Sequence, residues 1–381
     1  MNYILFDANR ESLFPLTHTR PISEIRIGIL TIKEKWIHHL GSELSTKTAD
    51  YLQMKYPLQK EANNVYIHGG VCPNKALVAA IQQLADGEGL YAGDTLVAYR
   101  NAVHQKVSFT EDFTQIEKLW HIFQHNTIEL KADFDLLTEG RSSQALSDSN
   151  LVLGSENIFV EEGAKVEGAI LNATTGPIYI GKNAELMEGS IVRGPLAMCE
   201  HSVLKLGAKI YGSTTLGPYC KVGGEVNNSV LMGYSNKGHD GFLGNSVLGE
   251  WCNIGADTNS SNLKNNYADV RLWSEQTGCF EKTGLQFCGL IMGDHSKCGI
   301  NTMFNTGTVV GVSANIFGAG FPRNFVPSFA WGGSAGYSTY HLPKVFEVAE
   351  KVMARRGVAF DDTEKDILQQ VFELTSEQRN F

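Results

Sequence analysis

Between Ile180 and Val222 every sixth residue is apolar: Ile180, Leu186, Val192, Met198, Leu204, Ile210, Leu216 and Val222. Four places after each stands a second small or apolar residue, running from Ala184 and Ser190 through Leu196, Ser202, Ala208, Thr214 and Cys220 to Val226. Glycine follows the apolar position at Gly181, Gly217 and Gly223. A period of six fits neither the helical repeat of about 3.6 residues nor the alternation of about two in a strand. It is the hexapeptide signature of a parallel β-helix, in which each step makes one short strand and one corner. Stacked coils of this kind make rigid walls and ligand clefts.

The beat begins with Val160 and Val166, shifts by two after Asn172, and then holds to Val222. A break covers residues 228–241. Hexads resume at Phe242 or Leu248, continue at Ile254, and break again over 260–285. The last run is Met292, Cys298, Phe304, Val310 and Ile316. Breaks in a solenoid read as insertions, and insertions gather on one face and carry function. Residues 151–320 therefore form the solenoid.

The first 145 residues read as an α/β unit. Strand patterns at Tyr3–Phe6, Val65–Ile67 and Leu96–Tyr99 alternate with helical patterns at 29–40 and 74–86, the second with Asn74 as N-cap. That alternation argues for a parallel or mixed sheet. The polar run from Thr138 to Asn150 is the expected linker. Residues 321–381 form an irregular aromatic segment and two amphipathic helices, at 343–356 and 361–376, expected to cap the solenoid.

A net charge of −9 and the lack of a basic stripe exclude a nucleic-acid binder. No apolar run approaches the ~20 residues needed to cross a bilayer. The opening MNYILFDANRE is charged by residue 7, so no secretory leader is expected. Seven cysteines without a C-x-x-C pair read as reduced core fillers, which points to the cytoplasm.

The first break, Gly233 to Gly244, holds His239 between Gly238 and Asp240. Imidazole is the side chain best suited to take a proton near neutral pH, and the neighbouring Lys237 suits a phosphate or carboxylate. The stretch Lys237–Asn262, KGHDGFLGNSVLGEWCNIGADTNSSN, resembles the acetyltransferase half of the bacterial bifunctional uridyltransferase/acetyltransferase family that makes UDP-N-acetylglucosamine. The match falls on Gly238-His239, Leu243-Gly244, Asn253-Ile254-Gly255-Ala256 with Thr258, and Asn262. The resemblance implies that His239 is the general base on the sugar amine and that Asn253 and Asn262 hold the sugar and acyl group. It implies that Gly255 and Ala256 line the acetyl-CoA site. The family's tyrosines are Phe242 and Leu263 here, and its arginine on the preceding coil is not reproduced in GPYCKVGG, where Lys221 is the only nearby cation. Lys237 and Lys264 are the candidate replacements for that arginine.

Arg10 to Pro21, RESLFPLTHTRP, is similar to the opening of sugar-nucleotide pyrophosphorylases. Those enzymes bind nucleoside triphosphate on a glycine-rich loop with a lysine. Here Asp7-Ala8-Asn9 replaces the glycines and Ile22 the lysine, leaving Arg10 and Arg20 as candidate phosphate ligands. Gly93-Asp94 resembles the G-D that supplies a Mg²⁺ ligand, making Asp94 the candidate metal residue. Together with GINTMFNTGTVVG (Gly299–Gly311), the chain resembles the short variants of the bifunctional family.

The expected fold is therefore a reduced nucleotidyltransferase-like α/β domain with a Rossmann-type sheet, then a left-handed parallel β-helix, then a short helical tail. The expected function is acetyl transfer from acetyl-CoA to an amino-sugar 1-phosphate, accompanied by nucleotidyl transfer from a UTP-like triphosphate with Mg²⁺. The resemblance further implies a homotrimer. Two other readings use the same fold: a nucleotidyltransferase whose solenoid only oligomerises, and a non-catalytic nucleotide-sugar sensor.

Overall fold

The computed structural model describes residues 1–381. The N-terminal unit is a six-stranded mixed sheet of β1 (Asn2–Phe6), β2 (Leu44–Lys47), β3 (Asn64–His68), β4 (Glu88–Ala92), β5 (Thr95–Arg100) and β6 (Gln105–Ser108). The spatial order is β2-β1-β3-β5-β4-β6, with β1 parallel to both its neighbours and β5 antiparallel to both of its own. Helix α1 (Ile32–Leu40) starts in a capping box. The Thr31 hydroxyl accepts the Glu34 N–H, and the Glu34 carboxylate accepts the Thr31 N–H. Helix α2 (Lys75–Gln82) is capped by Asn74, as its sequence predicts, but ends before Gly87. The long helix α3 (His121–Thr138) has no clean apolar stripe, since it buries Asn126, Glu129 and Asp133 beside Ile122, Phe123 and Leu130. The fixed polar partners explain this composition. Lys35 forms a buried ion pair with Asp133 and lies 3.0 Å from Glu129.

The hexads fold as expected into a left-handed parallel β-helix whose inward residues make one continuous core. Every apolar residue of the Ile180–Val222 beat is buried in it. Cys220, Cys252 and Cys298 also face inward, and all seven cysteines are free thiols. Coils continue past residue 320, through strands at Phe325–Val326 and Ala330–Gly333.

The two breaks differ in kind. Val203 pairs with Lys221 eighteen residues on, but Lys221 pairs with Asn236 only fifteen on. Residues 228–241 are therefore a shortened coil containing two strands, Val230–Gly233 and Asn236–Lys237, rather than an inserted loop. Two of the three residues are lost at Gly223-Gly224, which turn the corner in two residues, and the third is lost between Glu225 and Val230. Gly224 has φ +69°, and a Cβ there would meet the Asp240 Cα at 2.8 Å. The second break is a true insertion. It carries an antiparallel hairpin (Arg271–Ser274, Cys279–Lys282) that reaches back to the N-terminal domain.

The three faces of the prism meet different surroundings. The nine-stranded face is covered by the N-terminal domain, with Val230, Met232, Val247, Ile291 and Val309 joining that domain's core. The eight-stranded face exposes Leu151, Leu153, Ile170 and Ile191, and three of these pair in one row across adjacent strands. The remaining face meets the tail helices α4 (Leu342–Ala354) and α5 (Asp362–Leu374). The helices do not simply cap an open end. They pack on Trp251, Val312 and Phe329 along the solenoid's flank, with Leu52 of the N-terminal domain in the same cluster. Beneath them runs a stacked ladder, His201–Tyr219–Tyr234–Trp251–His295, with ring centroids 4.7, 5.1, 4.2 and 6.2 Å apart. Each of these residues turns its corner in the left-handed region, at φ +53° to +61°. Such a conformation persists where surroundings over-determine it, and the stacking of successive rings supplies that constraint.

Candidate functional site

On the face beneath the tail helices, two rows alternate as the pleat requires. One row points inward: Val166, Leu186, Leu204, Val222, Lys237 and, farther along, Cys298 and Ile316. The other points out: Lys165, Glu185, Val203, Lys221, Asn236, Asn253, Lys297 and Asn315. Just beyond the inward row lie Gly223, Gly238, Gly255 and Gly299, which keep the floor low. A Cβ on Gly255 would fall 2.3 Å from the Gly299 backbone, so this position admits only glycine.

Lys221, Asn236, Asn253 and Lys297 line a cleft of about 610 Å³ together with Gly238, His239, Gly255 and Ala256. The opposite wall comes from Val352, Arg355 and Arg356 at the end of α4. Lys205 and Tyr234 close the sides. The lining thus holds five basic side chains and His239 but no carboxylate. None of the five is in an ion pair. In a chain of net charge −9 this is a concentrated positive field. The Lys221 ammonium is held below its usual range by partial burial and by Arg356, Lys205 and Arg355. Burial lowers Lys297 to about 8, and its Nζ donates to the His295 carbonyl at 2.8 Å. Arg356 donates to the Asn236 side chain at 3.2 Å, which ties α4 to the solenoid.

The structure brings together only some of the residues singled out in the sequence. His239, Asn253, Gly255 and Ala256 share the cleft. His239 is exposed, on the four-residue corner that follows the shortened one. Lys237 does not face the ligand space. Strand alternation turns it into the solenoid core, and its Nζ donates to the His239 carbonyl at 2.7 Å. Asn262 lies outside the cleft lining; its amide donates to Asn245 at 2.9 Å. Lys264 is in the insertion, where it donates to the Asp269 carbonyl at 2.8 Å. Neither takes the place of the missing arginine.

The candidate phosphate loop is also already occupied by protein contacts. Arg10 donates to the Thr17 carbonyl at 2.5 Å and to the Tyr51 hydroxyl at 3.0 Å, and is buried. Arg20 pairs with Asp294 and lies 3.2 Å from Glu250, both on the solenoid. Burial disfavours the Arg20 charge, but these two carboxylates outweigh it and hold the guanidinium protonated. Thr19 donates to Asp294 at 2.6 Å, and His18 sits 2.9 Å from Glu275 of the inserted hairpin. The loop is thus a clasp between domains. Asp94 stands exposed at the tip of the β4–β5 hairpin, and no group of three or more His, Cys, Asp or Glu side chains in the chain is placed to hold a metal ion. A Mg²⁺ site does not fit these residues.

Of the cleft cations only Lys221 stands out in the sequence beside the motif. Lys205 and Lys221 flank inward apolar positions of the hexads, and Arg355-Arg356 follow the α4 pattern. Only the docking of α4 beside the solenoid joins them.

Comparison with known proteins bears on the N-terminal domain first. Residues 3–142 match the family model described as sugar nucleotidyl transferase. No curated protein matches the chain. Solved structures with some likeness include the UDP-N-acetylglucosamine acyltransferase of Arabidopsis, at 14% identity and TM-score 0.26, covering 62% of this chain and 94% of that one. Those of Francisella novicida and Campylobacter jejuni are each 15% identical. They have TM-scores of 0.23 and 0.22, cover 61% and 62% of this chain, and are themselves covered over 85% and 92%. Likeness this distant leaves function to be argued from the site. No helix is long and apolar enough to cross a membrane.

Proposed function

We propose that this chain is a transferase of nucleotide-sugar biosynthesis whose solenoid moves an acetyl group from acetyl-CoA to the amine of an amino-sugar 1-phosphate. The observation that carries the reading is the meeting of an exposed imidazole with five unpaired cations and a glycine floor in one cleft. Acetyl-CoA, when bound, supplies the activated thioester. The residues do the rest. Lys205, Lys221, Arg355 and Arg356 neutralise ligand phosphates, and Arg presents a planar fork suited to them. Asn253 offers an amide donor and acceptor beside His239 for sugar hydroxyls. His239 takes the proton from the attacking amine as the N–C bond forms and the C–S bond breaks, and returns it to the departing sulfur.

The family match over residues 3–142 supports the nucleotide-sugar setting. Nucleotidyl transfer in the N-terminal domain is the second part of this reading, and the clasp argues that it is the weaker activity, because Arg10 and Arg20 are both engaged within the chain. The apolar row on the free eight-stranded face supports self-association, for which we propose a homotrimer.

Incubation with acetyl-CoA, UTP and a panel of sugar 1-phosphates, with products read by mass, tests both parts. The expected product is an acetylated amino-sugar phosphate whose formation needs His239. Pyrophosphate release without any acetylated product would instead support the nucleotidyltransferase reading.

A further inference from the structure

Along the inward row of the cleft-bearing face, every coil from Val166 to Ile316 contributes an apolar side chain except one. Lys237 occupies the place held by Val222 on the coil before, and it is 1% exposed. An ammonium there loses its hydration inside a column of aliphatic side chains, a cost that an apolar residue of similar length would avoid. Burial lowers it to about 8, with Asp240, Asp257 and Cys298 as the ionisable groups that favour its charge. No carboxylate forms an ion pair with it; its one hydrogen bond goes to the His239 carbonyl.

A residue that costs stability yet is built into a column of aliphatics marks a local rule broken for function. The corner it grips, residues 238–241, lies over the two-residue Gly223-Gly224 corner of the coil before and so projects beyond it, and it leaves the solenoid through Gly238, where a Cβ would touch nothing. The Asp240 and Gly241 carbonyls accept the Asp257 and Glu225 N–H groups of the neighbouring coils at 3.1 and 3.2 Å, whereas the His239 carbonyl is held only from inside, by Lys237. We propose that Lys237 is a positioning residue for His239: from inside the solenoid its Nζ fixes the His239 carbonyl, and with it the corner that carries the imidazole into the cleft. The assignment rests on the acyl-transfer reading for its consequence but not for its geometry.

Lys237→Met tests it, because methionine fills the same volume without the charge or the donor. Two measurements accompany the kinetics: the melting temperature, and the backbone order parameter of His239 in protein labelled with ¹⁵N-histidine. The expected result is a melting temperature at or above that of the parent protein and a His239 amide that moves from rigid to mobile. The kcat for acyl transfer should fall at least tenfold, with KM for both substrates within twofold. A His239 amide that stays rigid, or a kcat that stays unchanged, overturns the proposal. So does a lowered melting temperature with the corner unaltered, which would make Lys237 an ordinary core residue. If the parent protein transfers no acyl group but the corner loosens in Lys237→Met, the anchor stands and the functional reading fails.

Discussion

The loop after β1 and the cleft under α4 both gather cations but leave them in opposite states. In the loop, Arg10, Arg20 and Arg26 each find partners within the chain: a carbonyl and hydroxyl, two carboxylates, and Glu34 at 3.4 Å. In the cleft, Lys205, Lys221, Lys297, Arg355 and Arg356 have no carboxylate among them. Arginines neutralised inside the chain hold domains together, while unpaired cations around a concave space await an anion. A motif therefore states which charges are present, and only the surroundings decide whether they are spent.

His239→Ala should lower acyl transfer by about 10²–10⁴-fold if the imidazole is the general base. Because the side chain is exposed, the melting temperature should stay within a degree or two. Arg20→Ala should act in the opposite sense, sparing the cleft chemistry but destabilising the fold. Removing one partner of a buried pair leaves Asp294 uncompensated, at a cost of about 3–5 kcal/mol read by denaturant unfolding. Replacing Arg355 and Arg356 together by alanine should raise KM for a phosphate-bearing substrate about tenfold or more. High salt should shrink the difference between parent and variant, since the lost interaction is screened electrostatics. Asp94→Asn should change nothing measurable, including any response to added Mg²⁺.

A pH series sharpens the contrast further. Lys237 has a folded value of about 8 against about 10.5 in an unfolded chain, so its burial penalty is fully present below pH 8. Between pH 8 and 10.5 the unfolded state binds the extra proton, so stability rises with pH there on this residue's account. Buried thiols such as Cys220, raised to about 12, pull the other way above pH 9, so the lysine must be isolated by difference. The stability advantage of Lys237→Met over the parent should be largest near pH 7 and fade as pH approaches 10.5. An advantage that does not vary with pH would contradict a charged buried Lys237.

The architecture was legible because one physical rule, an apolar side chain turned inward every sixth residue, operates over most of the solenoid. Ile180 to Val222 follow it without exception, and all are buried. The first break was misread as an insertion because counting hexads detects a lost register but not its direction. A three-residue deletion and an insertion look alike when the inward position itself is Lys237. Helix α3 escaped notice for a related reason, since its buried face is part polar, with Asn126 and Asp133 satisfied by distant backbone groups at Gly28 and Ile29. Arg20 could not be assigned from sequence at all, as its partner Asp294 is 274 residues away. The site was half legible: His239 and the Asn253–Ala256 run could be read from local motif. Arg355 and Arg356 belong to the same cleft only through tertiary packing.

The most direct test follows free thiol released when purified protein is mixed with acetyl-CoA and glucosamine 1-phosphate, beside the His239→Ala variant. The account predicts thiol release that depends on the sugar phosphate and is lost in the variant. Equal release from both proteins, or none from the parent, would contradict it.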